Sequence, residues 1–504
     1  MTDTITKKWW QEKAVWIMLF LGFSAGIPIL LIFSTLSLWL TEAGVEKSAV
    51  TYFSWAALGY SFKFVWAPLV DKIPLPLLTQ LLGRRRGWLL LSQLAVIASI
   101  VWMALIDPQT GLTTMAFAAV ALGFSSATQD VVIDAFRIES ADPRLQAMLS
   151  STYVAGYRVG MQMFAGAGAL FLAEYLGSSS ASYSYEAWRD TYLCMALVML
   201  VGVLTTLAVS EPEKGTAKNY PYPIKDYVSF FLVFVFSLAV LVAVFFIVPS
   251  LPEITQGYRQ TLLSFGYNAS ALGLALCAAF YTAKMCLKLG VVNADMVYEG
   301  YQAPLMDFLS RYGKLAVWVL LLIGFYRVSD IVMGVITNVF YTDIGYSKSQ
   351  IASVTKIFGV VVTIAGSFLG GLIALRFGVM RTLMLGAVLV AITNLLFVWL
   401  AGVEPDIRYL TGVIVADNLA QGIAVAAFIA WLSSLTNVSF TATQYAIFSS
   451  LMTLFPKLLG GYSGTLVESI GYANFFLLAS CLGLPVIALI YFLRNKLVVE
   501  NKSS

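Results

Sequence analysis

Uninterrupted apolar runs recur along nearly the whole chain, from about residue 14 to about residue 494, each closed by a short polar stretch. A run of roughly 18 residues already reaches across the hydrocarbon of a bilayer as a helix. A soluble core cannot absorb so many of them. Of the 504 residues, 59% are hydrophobic and only 12% are charged, which is membrane composition. The fold class expected is therefore an all-α membrane protein. The run that begins near Ala14 is too long for the apolar core of a signal peptide and is not closed by a small-residue cleavage pattern, so it is expected to stay as the first helix.

The runs place spanning helices at about 14–41, 49–70, 88–106, 111–137, 149–175 and 189–210, a first set of six. The polar stretch 211–223 follows, with three prolines and four charges, and marks a boundary. Two further spans at about 223–250 and 269–288 precede a second set of six at about 313–341, 349–377, 380–402, 408–435, 441–467 and 472–494. The expected organisation is a six-helix bundle over 1–210, a linker with two extra spans and an amphipathic segment over 211–312, and a second bundle over 313–504. Fourteen spans put both termini on one side. Most of the 31 Lys and Arg residues fall on that side, so both termini are expected in the cytoplasm.

The two sets of six are related. Residues 41–48 (Thr-Glu-Ala-Gly-Val-Glu-Lys-Ser) match 342–349 (Thr-Asp-Ile-Gly-Tyr-Ser-Lys-Ser) at an offset of 301, between the first and second helices of each set. Residues 147–151 parallel 446–450 at an offset of 299, which also pairs Arg158 with Lys457 in the fifth helices. Two six-helix repeats with a site between them near the midplane are the layout of a large class of secondary transporters.

Charge inside the spans needs a reason, because a carboxylate at the centre of a bilayer costs about 2.5–3.5 kcal/mol even on lenient scales. Asp130 and Asp134 lie four residues apart in the fourth helix, Asp130 about a turn deeper and level with Lys63 of the second, so a Lys63–Asp130 pair is possible. Asp134 stands near the interface. Arg158 lies well inside the fifth helix in a Gly-x-x-x-Gly stretch, next to Tyr157, whose ring could face a sugar. In the second set, Arg327 and Asp330 share a helix face and are placed to neutralise each other, an alternative to a substrate role, while Asp417 joins Asn418 and Gln421, and Lys356 and Lys457 add cations. The excess of buried cations suits an anionic solute. No acid in the second set matches Asp130 in position.

The chain has no histidine, so any proton coupling falls to carboxylates. Its four cysteines sit in or at the ends of apolar runs, where they pack rather than bind metal. No cofactor, metal, nucleic acid or obligate protein partner is expected. An enzyme acting on lipid-linked sugars is disfavoured, since no Asp-x-Asp pair or nucleophile with its base is present.

Residues 67–72 (Ala-Pro-Leu-Val-Asp-Lys) and 83–86 (Gly-Arg-Arg-Arg) resemble the signature loop of the major facilitator superfamily, with Ala67 for its leading glycine and ten residues between Lys72 and Gly83. A decayed copy spans 370–381. In that family the loop is a cytoplasmic latch, which implies a gating role for Asp71 and Arg137. More narrowly, residues 63–71, 83–88, 126–135 and 156–161 resemble the AmpG muropeptide permeases, which also share this length and the two extra helices.

The resemblance implies proton-driven import of GlcNAc-1,6-anhydro-MurNAc and its peptides across the bacterial inner membrane, with an influence on β-lactamase induction. It places the proton on Asp130 and Asp134, with Gln129 in the cavity wall and Lys63 gating. Arg158, Tyr157, Arg327, Asp330, Asp417 and Lys457 are then expected on the substrate. An importer of a siderophore or an acyl-coenzyme A on the same fold is the alternative.

Overall fold

The computed structural model describes residues 9–45, 53, 58–179, 182–212, 221–248, 258–460 and 463–500. Among them the chain is helical, with one isolated bridge between Ser179 and Ser182. Eleven helices among the described residues are long and apolar enough to cross a membrane by length and composition. The second, fifth and eleventh helices of the two sets are not among the eleven. They carry Lys63, Arg158 and Lys457, and each departs from a continuous apolar α-helix.

The second helix is described as Leu58–Phe62, a 3-10 turn Lys63–Val65, and Ala67–Lys72. The fifth runs from Gln146–Arg158 through a π stretch, Val159–Gly168, to Ala169–Tyr175. The eleventh, Thr441–Gly460, has Pro456 in its interior. Helix irregularities of this kind gather where a site interrupts the ladder.

By compactness the chain divides into two units. One comprises Met1–Ala67, Leu75–Thr216 and Arg311–Ser504, and so holds most of both six-helix sets; the other comprises Pro68–Pro74 and Ala217–Ser310. In the smaller unit, Ile224–Ile247 packs along Tyr258–Lys288. Lys72 Nζ donates to Glu299 Oε2 at 2.9 Å, and Asn293 Nδ2 to Asp226 Oδ2 at 2.9 Å. Ile224, Phe236, Leu274 and Phe280 are exposed apolar side chains, as a lipid-facing hairpin requires.

In the larger unit the sequence repeat becomes a structural one. Gly44 and Gly345, 301 apart, end the first helix of each set with φ of +78° and +103°. The Val45 N–H donates back to the Leu40 carbonyl at 3.0 Å, and the Tyr346 N–H to the Tyr341 carbonyl at 3.0 Å. Both are the six-to-one bond of a glycine-stopped helix, where a side chain at the glycine would be strained. Residues 46–48 of the repeat lie outside the described residues. Trp39 and Phe340, also 301 apart, anchor matching cores. Trp39 stacks on Trp188 at 5.8 Å, and Phe340 meets Phe476 edge-on at 4.8 Å.

The halves meet at the opposite end of the helices, where Ala147 packs with Ala374 and Ala430. A Cβ on Gly371 would come within 2.4 Å of Ser151 Oγ. Small residues let the facing backbones approach closely.

Candidate functional site

The helix Pro108–Glu139 is buried without interruption from Ser125 to Glu139, although this stretch holds five charged or carboxamide side chains. Such burial demands partners, and most are found. Asp134, 6% exposed, accepts from Arg137 Nη2 at 3.0 Å and lies 3.7 Å from Lys63 Nζ. Arg137 is fully buried. Its Nη1 donates to Ser150 Oγ at 2.7 Å and to Ser433 Oγ at 3.1 Å, and its guanidinium lies over the rings of Tyr153 and Tyr445. Ser433 and Tyr445 belong to the second set, so Arg137 ties the halves together.

Two expectations change here. Lys63 takes Asp134 as its close partner rather than Asp130. The 3-10 turn at Lys63–Val65 rises about 2.0 Å per residue against 1.5 Å in an α-helix, so depth counted along a regular helix misplaces this side chain. Asp134 is also not at an aqueous interface, since the facing helices cover it.

Asp130, one turn away and 8% exposed, keeps a buried Oδ1 with no hydrogen-bond partner among the described residues. Lys63, Asp134, Tyr60, Tyr153 and Tyr157 all lie within its electrostatic reach. Gln129 beside it donates to Ser24 Oγ at 3.2 Å, and its own Oε1 has no hydrogen-bond partner among the described residues. Tyr60 donates to Ser126 Oγ at 2.6 Å.

Arg158 is half-buried where the α-helix gives way to the π stretch, in electrostatic reach of Tyr157 and of Arg327 and Asp330 across the chain's two halves. Arg327 sits in a break between Ala316–Phe325 and Val328–Asp343, and its Nη2 donates to Asp330 Oδ2 at 2.5 Å. The break holds because Tyr326 is pinned. Its ring stacks on Phe428 at 4.3 Å and its hydroxyl donates to the Leu383 carbonyl at 3.1 Å. Arg327, Ser329, Asp330 and Gln421 line one crevice. Lys457 Nζ reaches across the halves to Ser61 Oγ at 3.3 Å. Asp417, 5% exposed, turns to Thr393 and Gln421. Asp71 is buried in the smaller unit. Lys356 has no described side chain.

The structure adds residues that sequence reasoning passed over. Arg85 is buried and bidentate on Glu139, with Nε to Oε2 at 3.0 Å and Nη2 to Oε1 at 2.6 Å. Glu211 accepts from the backbone N–H groups of Arg85 and Arg86 at 2.7 and 3.0 Å, capping that helix start, while Arg86 donates to the Thr206 and Leu207 carbonyls. The basic triplet thus fastens three helix ends, in addition to any effect on orientation. Glu139 was the available signal: a third acid on the helix of Asp130 and Asp134, at the end nearest the triplet. Ser150 and Ser433, being uncharged, gave none.

The sequence model of the Major Facilitator Superfamily matches residues 14–294 and 317–504. The anhydromuropeptide permease of Escherichia coli K12 is 28% identical, the match covering 97% of this chain and 81% of that one. Transporter AmpG 4 of Rickettsia felis is 29% identical over 98% of this chain and 99% of its own. Among solved structures, the proton:xylose symporter XylE superposes with a TM-score of 0.58 at 13% identity, covering 95% of this chain and 94% of that one. The transporter FucP superposes with a TM-score of 0.57 at 10% identity, covering 95% and 98%.

Proposed function

Because this chain belongs to the major facilitator superfamily and is a multi-pass membrane transporter of the AmpG type, we propose that it imports GlcNAc-1,6-anhydro-MurNAc and its peptides by proton-coupled alternating access. In this reading the chain crosses the bacterial inner membrane fourteen times with both termini cytoplasmic, as two bundles with a two-helix insertion. Recovered cell-wall fragments are its cargo, through which it influences β-lactamase induction.

The observation that carries the substrate class is Arg158 beside the Arg327–Asp330 pair. Three charged groups from two halves share one region, and they sum to one positive charge. An anionic solute completes that balance, and the lactyl and peptide carboxylates of a muropeptide are of this kind. The permease from Escherichia coli at 28% identity supports the same choice. Tyr157 and Gln129 add hydrogen-bonding edges for the sugars, and Lys457 a second cation.

Asp134 is the paired carboxylate and Asp130 the one with an oxygen to spare. A proton is the smallest partner for it. While Lys63 sits on Asp134 and Arg137 is locked to Ser433, the end where the halves meet is shut, and Asp130 takes its proton from the open side as the solute binds. Protonation of Asp130 removes a charge from the cavity and favours closure around the solute, after which the Arg137–Ser433 contact rearranges and the shut end opens. The higher cytoplasmic pH then releases the proton, and the ionised Asp130 draws Lys63 toward it. Differential affinity of the two states for proton and solute sets the direction. Asp71, near the end of the second helix and within the stretch that resembles the family's signature loop, is assigned a gating role as well.

Uptake of labelled anhydro-muropeptide into vesicles holding the purified protein tests this. Accumulation is expected with an inward proton gradient and not without one. Asp130→Asn should abolish uphill accumulation while leaving solute exchange at equal concentrations. Accumulation by Asp130→Asn equal to wild type removes Asp130 from coupling, and uptake that excess unlabelled muropeptide does not compete removes the substrate.

A further inference from the structure

Asp417 and Asp130 differ from the other acids inside the larger unit. Asp134 has Lys63 and Arg137, Glu139 has Arg85, and Asp330 has Arg327. Asp417 has no Lys or Arg nitrogen within ion-pair distance among the described residues. It stands ten residues into Ile407–Leu435, about 15 Å along that helix. Leaving an isolated carboxylate charged there is costly, so a plain structural acid would be expected to sit in a site shaped for one protonation state only.

The site is shaped for both. Gln421 Nε2 donates to Oδ2 at 2.8 Å, which suits either form. The Thr393 hydroxyl faces two acceptors at nearly equal distance, the Val390 carbonyl at 3.1 Å and Asp417 Oδ1 at 3.2 Å. It has one hydrogen to give. Turned toward Oδ1, it donates to a carboxylate. Turned toward Val390, it frees a lone pair to accept the hydrogen of a carboxylic acid. One torsion of a buried hydroxyl therefore exchanges the partners of the two forms with no heavy atom moving.

A route exists as well. Gln421, one turn from Asp417, lines the crevice with Tyr326, Arg327, Ser329 and Asp330. The groups that face Asp417 are Thr393 from Val379–Leu400, Gln421 from its own helix, and Asp330 and Tyr341 from the Val328–Asp343 helix. Of these only Asp330 is an acid, and Arg327 engages it. An ionised Asp417 would be a second claim on the same guanidinium.

We propose that Asp417 is a second proton-exchanging carboxylate, served by the Thr393 hydroxyl and reached through the crevice beside Gln421, independent of Asp130. The step is proton transfer alone: a proton from water in the crevice enters on Oδ1 or Oδ2 and leaves the same way. It deepens the reading of the protein as proton-coupled. An anionic solute at Arg158 and Arg327 draws Arg327 away from Asp330, and a proton on Asp417 then removes the repulsion between the two neighbouring acids.

Infrared difference spectra of the purified full-length protein, taken across a pH titration without solute, test this independently of any substrate. A pH-dependent carbonyl band of protonated carboxylic acids is expected in wild type, with one component that persists in Asp130→Asn and is missing in Asp417→Asn. Thr393→Val should keep that component and move its midpoint to higher pH, because the bond donated to the charged carboxylate is stronger than the one accepted from the neutral acid, so the ionised form loses more. Spectra of wild type and Asp417→Asn that superimpose overturn the proposal. So does a Thr393→Val midpoint equal to wild type, which is the decisive reading if Asp417→Asn does not fold. The Asp130 reading stands or falls on accumulation by Asp130→Asn, so either assignment can fail alone.

Discussion

The guanidinium of Arg137 donates to the hydroxyl of Ser433 at 3.1 Å, joining residues 296 positions apart in sequence. The same guanidinium holds Asp134, and Asp134 holds Lys63. Any event that alters the charge around Asp130 and Asp134 is thereby transmitted within two contacts to the surface where the halves meet.

Ser433→Ala removes one cross-half partner of Arg137 and leaves Tyr445 in place. A hydrogen bond to a charged group contributes about 1.5–3 kcal/mol, and Arg137 retains Ser150 and Asp134. The expected result is a lowered thermal midpoint for the detergent-solubilised protein and faster solute exchange, since the shut end opens more readily. Arg137→Ala leaves Asp134 with Lys63 alone and should cost about 3 kcal/mol or more, the usual penalty for breaking a buried pair. Equal stability of the two variants would show that the Asp134 pairing contributes little.

Lys63→Gln separates stability from coupling. The Lys63 Nζ to Asp134 distance of 3.7 Å lies beyond hydrogen-bonding range, whereas Arg137 approaches to 3.0 Å. The variant should unfold within a few degrees of wild type yet lose gradient-driven accumulation, because among the described residues Lys63 is the cation that acts on Asp130. Normal accumulation by a folded Lys63→Gln protein would remove Lys63 from the mechanism.

Much of the fold was legible in the sequence, because its signals were long or repeated. Apolar length located the helices, and the offset of 301 announced a structural match later visible at Gly44 and Gly345. The charges at Asp130, Asp134, Arg158 and Arg327 stood out because hydrocarbon penalises them. Of their pairings only that of Arg327 with Asp330, three apart on one face, was legible; the partners of Asp134 were not. Which cation meets which acid depends on rotation and rise within irregular segments, and the 3-10 turn at Lys63 together with the π stretch after Arg158 leave no periodic trace. Uncharged partners such as Ser150, Ser433 and Thr393 were hidden for a simpler reason: serine and threonine cost little in a membrane helix and so carry no signal alone.

Arg327 and Asp330 invite a double-mutant cycle. Arg327→Gln leaves a largely buried carboxylate without its cation, and Asp330→Asn leaves the cation without its acid. Each single change should lower the thermal midpoint more than the double change does, with a coupling of about 1–3 kcal/mol. Anionic solute affinity should follow a different order. Arg327→Gln weakens it, and Asp330→Asn strengthens it by removing the competing negative charge. If both single variants bind an anionic solute as wild type does, this pair lies outside the substrate site.

Gly156 and Gly160 of the fifth helix face Gly22 and Gly26 of the first, so that two Gly-x-x-x-Gly faces cross backbone to backbone. A Cβ at Gly156 would stand 1.9 Å from the Leu19 carbonyl oxygen, and one at Gly160 would stand 2.2 Å from that of Phe23. Neither obstacle is a flexible side chain, so the helices must separate, and Arg158 between the two glycines must move with them. Gly156→Ala is therefore expected to abolish transport and to reduce the amount of folded protein severely. Gly412→Ala, where nothing lies within 4 Å of the new methyl group, should leave transport and the amount of folded protein unchanged and gain up to about 1 kcal/mol, the advantage of alanine over glycine within a helix. Size-exclusion profiles and thermal midpoints of the two variants side by side check this, and a Gly156→Ala protein as stable as wild type would contradict the close crossing.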